Sequence, residues 1–175
     1  LGGYRDRLLA GGLVLSAGIL GGIGLTLWEE QRENRRAVRE AAVEMDLPPD
    51  LLLSVAHRES RFRTHARSSK GAVGILQVMP ETGREMAGRL GLKGWSLHNP
   101  RDNARIGGGY LAWLLRRYGE DEHLALAAYH AGPGRVDEWL SRGVPLSGEE
   151  LVEQRAFPET RQYVREVLEG REGWR

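Results

Sequence analysis

The chain contains no cysteine. Disulfides, thiolate nucleophiles and cysteine-based zinc sites are therefore excluded. Charge of a single sign is missing as well: 25 lysines and arginines stand against 24 aspartates and glutamates, for a net charge of +1. Arg5, Asp6 and Arg7 account for that +1, and the rest of the chain is balanced. A balanced chain has no electrostatic footprint for nucleic acid, so none is expected as a partner. Phenylalanine occurs only twice. His57, His65, His98 and His123 show no metal-ligand spacing with carboxylates, so neither a metal nor a cofactor is expected. Nothing in the chain supports a large sheet, and no internal repeat is visible. What remains is a chain of 175 residues, enough for one domain plus an accessory segment.

The accessory segment is an uncharged run. Residues 8–28 read LLAGGLVLSAGILGGIGLTLW, directly behind Arg5 and Arg7. As a helix the run spans about 30 Å, close to the hydrocarbon thickness of a bilayer. Trp28 sits where an interfacial aromatic sits, and Gly18 and Gly22, four apart, allow close helix contact. A cleaved signal peptide is the other reading. The run is long for a signal peptide, and no Ala-x-Ala-like site follows it. The expectation is one transmembrane helix, with residues 1–28 as an anchor in the cytoplasmic (inner) membrane and the remainder outside it. An envelope or membrane protein is then a possible partner of the anchor.

Residues 29–47 begin with charges of both signs three and four apart, which predicts a solvated helix leading away from that membrane. Pro48-Pro49-Asp50 breaks it and opens a domain over 48–175, read as mainly helical. Short helices are expected over 50–60, 80–90, 100–118, 121–131, 134–140 and 158–169. Pro80 and Pro158 suit helix starts, where a missing N–H costs nothing. Asn99 is placed to cap the third. Residues 61–78 read as irregular or short-strand, and 141–157 as loop. Gly107-Gly108-Gly109 inside a helix is costly and implies close packing, a bend or a misplaced helix.

One carboxylate stands out. Glu59 ends a helix whose Leu52, Leu53, Val55 and Ala56 must face a core. A carboxyl in such a place is partly desolvated, which raises its pKa and lets it donate a proton near neutral pH. A salt bridge to Arg58, Arg61 or Arg63 is the plainer alternative. Glycosidases ordinarily pair two carboxylates. Asp102 and Glu81 are the unattached candidates here, and each sits where a helix-start acid serves structure. The lack of a pair either removes glycosidase chemistry or requires the substrate to supply its own nucleophile.

Four blocks then occur in order. They are Glu59-Ser60 with Ala66-Arg67-Ser68, Gly71-Ala72 and Gly74-Ile75-Leu76-Gln77-Val78-Met79-Pro80; Asn103, Gly107 and Tyr110-Leu111; Ala128-Tyr129-His130-Ala131-Gly132; and Pro158-Glu159-Thr160-Arg161-Gln162-Tyr163-Val164. Together they resemble the family 1, soluble-type (SLT-domain) lytic transglycosylases. The resemblance implies a lysozyme-like helical domain and a peptidoglycan substrate. The bond cut is that between N-acetylmuramic acid and N-acetylglucosamine, with a 1,6-anhydro product. It implies Glu59 as the catalytic acid and then base, and Ser60, Gln77, Tyr129, His130 and Tyr163 as substrate-binding residues. The competing expectation is a lysozyme-like domain kept as a non-catalytic peptidoglycan-binding or scaffold subunit. Two positions depart from the family pattern. Leu76 replaces the usual Met at similar volume. His130 replaces the usual Asn, with one donor and one acceptor when neutral and titration near neutral pH.

Overall fold

A computed structural model of the protein describes residues 27–143 and 146–175. The chain divides into two units, residues 1–33 and residues 34–175.

Helix α1 is described over residues 27–44. From Asn34 onward it is part of the second unit, and it is not a solvated stalk. Ala37, Val38, Ala41 and Ala42 are buried in the core. The buried amide of Asn34 donates to Phe62 O at 2.8 Å and to Thr64 Oγ1 at 2.9 Å. The charges alternating along the helix occupy the other face, and they conceal a stripe of small apolar residues at helical spacing.

The transmembrane helix expected ahead of the domain is overturned. Among the described residues no helix is long and apolar enough to cross a membrane. Glu29, Glu30, Arg32 and Glu33 put charge on the first described turns of α1, which hydrocarbon does not accept. The single-pass inner-membrane placement, with the domain outside, falls with that helix. Of the run over 8–28 itself, residues 8–26, including the Gly18 and Gly22 pair, lie outside the described residues.

The second unit continues through α2 (Pro49–Ser60), α3 (Pro80–Arg89), α4 (Pro100–Arg117), α5 (Glu122–Ala131), α6 (Pro133–Leu140), α7 (Gly148–Arg155) and α8 (Pro158–Gly170), ending in a 3₁₀ turn over Arg171–Trp174. Five of these helices carry proline in the first turn, where it fixes φ without losing a helical hydrogen bond. Asn99 caps α4, its side chain accepting from the amides of Arg101 and Asp102. The helix α7 lies in a segment expected to be loop. Its start is a reciprocal capping box between Ser147 and Glu150, and only Leu151 and Val152 give it a strongly apolar face.

Helix α5 is central and packs against α4, α6, α7 and α8, while α2 packs on α8 and the terminal turn. Residues 51–56 of α2 and 124–128 of α5 are buried all round, so these two helices form the middle of the core rather than its wall. The segment between α2 and α3 has little regular structure. Isolated antiparallel bridges join Arg67 to Val73 and Val73 to Val78.

The glycine run in α4 resolves as close packing. A Cβ on Gly107 would lie 2.7 Å from both Cβ and Cδ1 of Leu76, one on Gly108 would lie 3.1 Å from Leu52, and one on Gly109 would lie 3.0 Å from Leu90. The helix thus approaches the irregular segment, α2 and α3 closely through three consecutive positions. Gly107→Ala is expected to destabilise the fold by about 1–3 kcal/mol, because the Leu76 Cβ is not a flexible end that can swing aside. A urea midpoint lowered at unchanged slope would show it, and an unchanged midpoint would contradict the packing described.

Candidate active site

The site is assembled at the end of α2. That helix terminates at Ser60, followed by Arg61 and Phe62 in the left-handed region, at φ 54° and 61°. The double left-handed turn reverses the chain and leaves Glu59 on the last helical turn, against α5 and α8. Burial is the main influence on its carboxyl and pushes the pKa up from 4.5 to about 7, with Tyr163 and Arg58 opposing the rise. A carboxylic acid with that pKa is protonated in a useful fraction of molecules near neutral pH. Its salt bridge with a neighbouring arginine, the plainer alternative, is not formed. Arg58 pairs instead with Glu166 of α8.

Tyr163 and Tyr129 are the two hydroxyls of the site. The phenol of Tyr163 is buried and faces the Glu59 carboxyl, on which it acts as a donor, although among the described residues its hydroxyl makes no hydrogen bond of good geometry. The phenol of Tyr129 donates to Leu76 O at 2.8 Å. Burial and then the Glu59 charge hold both phenols well above the ordinary tyrosine range, so each remains a donor at any physiological pH. The ring of Tyr110 continues the cluster at 5.4 Å from Tyr129. His130 stacks on the Tyr163 ring at 4.6 Å, and its Nδ1 lies 3.1 Å from Thr160 Oγ1. Burial, with help from Arg58 and Lys70 and against Glu159, keeps that imidazole below its ordinary pKa.

Ser60 and Gln77 are engaged differently. The Ser60 hydroxyl is buried, donates to Ile75 O at 2.8 Å and accepts from Arg63 N at 3.1 Å. Gln77 has φ 45°, and its amide nitrogen donates to Gly74 O at 2.9 Å and to Ala66 O at 3.2 Å. Both side chains thus satisfy backbone groups of the irregular segment, which has no sheet ladder to do so. Gln77 remains partly exposed, and among the described residues its Oε1 has no protein partner, whereas the Ser60 hydroxyl is used internally.

Asn103 fixes the same segment from α4. Its Oδ1 accepts from Leu76 N at 2.9 Å, and its Nδ2 donates to Val73 O at 2.9 Å and to Leu97 O at 3.0 Å. Gly74 is tied to this arrangement twice. It has φ 82°, and a Cβ there would come within 2.2 Å of Asn103 Nδ2, so both backbone conformation and space call for glycine. The motif pattern contains Asn103 but gives no hint that it carries three buried hydrogen bonds.

Asp102 and Glu81 do not pair with Glu59. Asp102 accepts from Ser96 N at 2.9 Å, Glu81 is exposed in the first turn of α3, and neither is among the charges acting on Glu59. His57 packs on Phe62 and Trp174, at 6.0 and 5.5 Å. Among the described residues no three His, Asp or Glu side chains gather as metal ligands.

The Transglycosylase SLT domain family matches residues 36–150. The soluble lytic murein transglycosylase of Escherichia coli strain K12 is 34% identical over 128 residues, covering 70% of this chain and 20% of the relative. The membrane-bound lytic murein transglycosylase C of Actinobacillus pleuropneumoniae serotype 5b is 34% identical over 111 residues, or 57% of this chain and 30% of the relative. Among solved structures, an inactive mutant of lytic transglycosylase Slt from Pseudomonas aeruginosa superposes with a TM-score of 0.73 at 35% identity, over 78% of this chain and 23% of that one. The 70-kDa soluble lytic transglycosylase in complex with bulgecin A superposes at 0.71 with 26% identity, over 96% and 29% of the two chains. The chain therefore spans about a fifth of the length of the curated relative first named. The family profile begins inside α1 and runs through α2 to the start of α7, so it takes in Glu59, Asn103, Tyr129 and His130 in one continuous match, and the chain belongs to the Transglycosylase SLT domain family.

Proposed function

We propose that the chain is a peptidoglycan lytic transglycosylase, a lyase that cleaves the β-1,4 bond between N-acetylmuramic acid and N-acetylglucosamine and leaves a 1,6-anhydro-muramyl end. The reaction is assigned to the unit over residues 34–175. The observation that carries the proposal is Glu59. It is a single carboxyl, raised to about 7 by burial, with no second carboxylate acting on it. Membership of the family and the names of its relatives as murein transglycosylases support the choice of substrate.

The chemistry follows from having one titratable group. Protonated Glu59 gives its proton to the glycosidic oxygen as the bond from that oxygen to C1 breaks. The resulting carboxylate then takes the proton of the muramyl C6 hydroxyl while O6 bonds to C1. One C–O bond breaks and one forms, the proton returns to Glu59, and no water is consumed. A second protein carboxylate has no task in this sequence, unlike in hydrolysing glycosidases.

The supporting roles are assigned by what each side chain still has to offer. Gln77 presents its free Oε1 to an acetamido N–H, and the amide bonds to Gly74 and Ala66 hold it in register. Tyr129, beside the acid, and His130, stacked on Tyr163, contact the sugar. Tyr163 donates to the Glu59 carboxylate as it forms, which is electrostatic stabilisation by a preset donor. Ser60 acts through Ile75 as a support for the substrate-facing segment.

Purified protein incubated with sacculi should release muropeptides with 1,6-anhydro ends, read by mass spectrometry. Reducing ends in their place would mean hydrolysis, and the proposal would fail. Binding of sacculi or of bulgecin A with no product across pH 5–8 would instead identify a glycan-binding scaffold domain.

A further inference from the structure

Tyr163 is held by more than its own helix. Arg58, from α2, places its guanidinium 5.6 Å from the centre of the Tyr163 ring. His130, from α5, stacks on the same ring at 4.6 Å and an interplanar angle of 28°. Each of these groups is in turn fastened to α8, the helix that carries Tyr163. Arg58 is paired with Glu166, which also accepts from Gln162 at 2.7 Å, and His130 is joined to the buried Thr160. The three helices α2, α5 and α8 are thereby cross-linked around one phenol.

The phenol's hydroxyl gives this a purpose. It is a buried donor that faces the Glu59 carboxyl and, among the described residues, makes no hydrogen bond of good geometry. An unpaired buried hydroxyl is costly and normally relaxes toward any acceptor in reach. Here a cation, an imidazole and their two anchors on α8 hold the ring in place.

We infer that Arg58 and His130 are positioning residues that brace the Tyr163 ring from α2 and α5, so that its hydroxyl waits for the Glu59 carboxylate rather than relaxing elsewhere. The inference rests on the reading of Glu59 as the acid; it extends that reading to Arg58 and gives His130 a second part beside its contact with the sugar. Arg58 has a second part in it, because its charge reaches both ends of the network. The groups facing Glu59 are Arg58, Tyr163 and Tyr129, and those facing His130 are Arg58, Lys70, Glu159, Thr160 and Tyr163. The positive charge of Arg58 favours ionised Glu59 and neutral His130, which is the state in which Tyr163 has an acceptor and the imidazole stacks without a second cation on the ring.

Two substitutions separate charge from shape. Arg58→Gln removes the charge, and Arg58→Lys keeps the charge but lacks the planar group that packs on an aromatic face. Arg58 is substantially exposed, with 41% of its side-chain surface accessible, so both variants should fold, as a thermal midpoint would verify. NMR titration of the Glu59 side-chain carbon and the His130 ring is the first readout. In Arg58→Gln both midpoints should move up together, by about half a pH unit or more. In Arg58→Lys both should stay near their wild-type values, while the Tyr163 ring flips faster and kcat drops about tenfold at little change in KM. Midpoints unmoved in Arg58→Gln, or moving for only one of the two groups, would overturn the inference. So would Tyr163 ring flipping in Arg58→Lys at the wild-type rate. The titration and ring-flip readouts require no turnover, so they decide the bracing even if the chain proves to be a binder and the proposed activity fails.

Discussion

Replacing Glu59 with Gln is expected to abolish formation of 1,6-anhydro ends and, at the same time, to stabilise the fold at alkaline pH. The first effect follows from removing the transferable proton at nearly constant shape, and it should exceed about 10²–10⁴-fold, the usual contribution of a placed acid–base group. The second follows from linkage. In the folded protein the Glu59 carboxyl titrates at about 7, against an ordinary value of 4.5. Between those values the folded form holds a proton that the unfolded chain has released. Stability therefore falls as pH rises through this window, and the full cost is present above the folded pKa. The gap from 4.5 to about 7 amounts to roughly 3 kcal/mol for a fully retained environment. Gln carries no such cost at any pH. The two proteins should unfold at similar urea midpoints at pH 4.5, and the Gln variant should be more stable by about 1–3 kcal/mol at pH 8.5. Wild-type activity should decline above pH 7 as the same proton is lost. Equal stability at both pH values would mean that Glu59 is not desolvated, and product formed by the variant would place the acid elsewhere.

That trade-off illustrates which parts of the site are legible in the sequence. The helix ending in Glu59 is legible because Leu52, Leu53, Val55 and Ala56 demand burial and a carboxylate follows them directly. The starts of α3, α4 and α8 are legible through Pro80, Asn99 and Pro158. The helix α7 is hidden because its capping box precedes only two strongly apolar residues, too few for a periodic signal. The buried face of α1 is hidden for the opposite reason. Its charges recur so regularly that Ala37, Val38, Ala41 and Ala42 read as spacers. At the site, sequence resemblance gathers Tyr129, His130 and Tyr163 about Glu59; in the structure Tyr129 and Tyr163 face the acid, and His130 joins them by stacking on the Tyr163 ring. It does not separate side chains that face outward from those that serve the backbone. Ser60 donates inward to Ile75 O and Gln77 clasps Gly74 O, because an irregular segment needs its carbonyls satisfied by neighbours distant in sequence. Arg58 is the clearest case. Its adjacency to Glu59 suggests a pair, but successive positions on a helix point about 100° apart, and the guanidinium reaches Glu166 across the gap to α8 instead.

Asn103→Ala is the substitution expected to damage both stability and activity most without touching the reacting groups. The side chain is fully buried and makes three hydrogen bonds, one accepted from Leu76 N and two donated to Val73 O and Leu97 O. Alanine leaves Leu76 N and Leu97 O without partners among the described residues, whereas Val73 O keeps the bond it accepts from Val78 N at 3.0 Å. At about 1–3 kcal/mol for each of the two orphaned groups, less some relaxation, the expected loss is about 2–4 kcal/mol. Activity should fall further than stability accounts for, because the carbonyl of Leu76 is the acceptor for Tyr129, and a shifted Leu76 moves a wall of the site. Asn103→Asp provides the control. It preserves the acceptor for Leu76 N but turns a second oxygen toward the carbonyls of Val73 and Leu97. Repulsion and burial then raise the carboxyl's pKa in the folded state, so the folded form binds a proton more tightly than the unfolded one. The penalty of Asn103→Asp should accordingly shrink as pH falls, when a protonated oxygen can donate to one of the two carbonyls, while that of Asn103→Ala stays constant. Urea unfolding of both variants at pH 5 and pH 8, beside anhydro-muropeptide release at a temperature where each remains folded, distinguishes these outcomes. A loss below about 1 kcal/mol in Asn103→Ala would show that the segment carrying Leu76 keeps its shape without the asparagine.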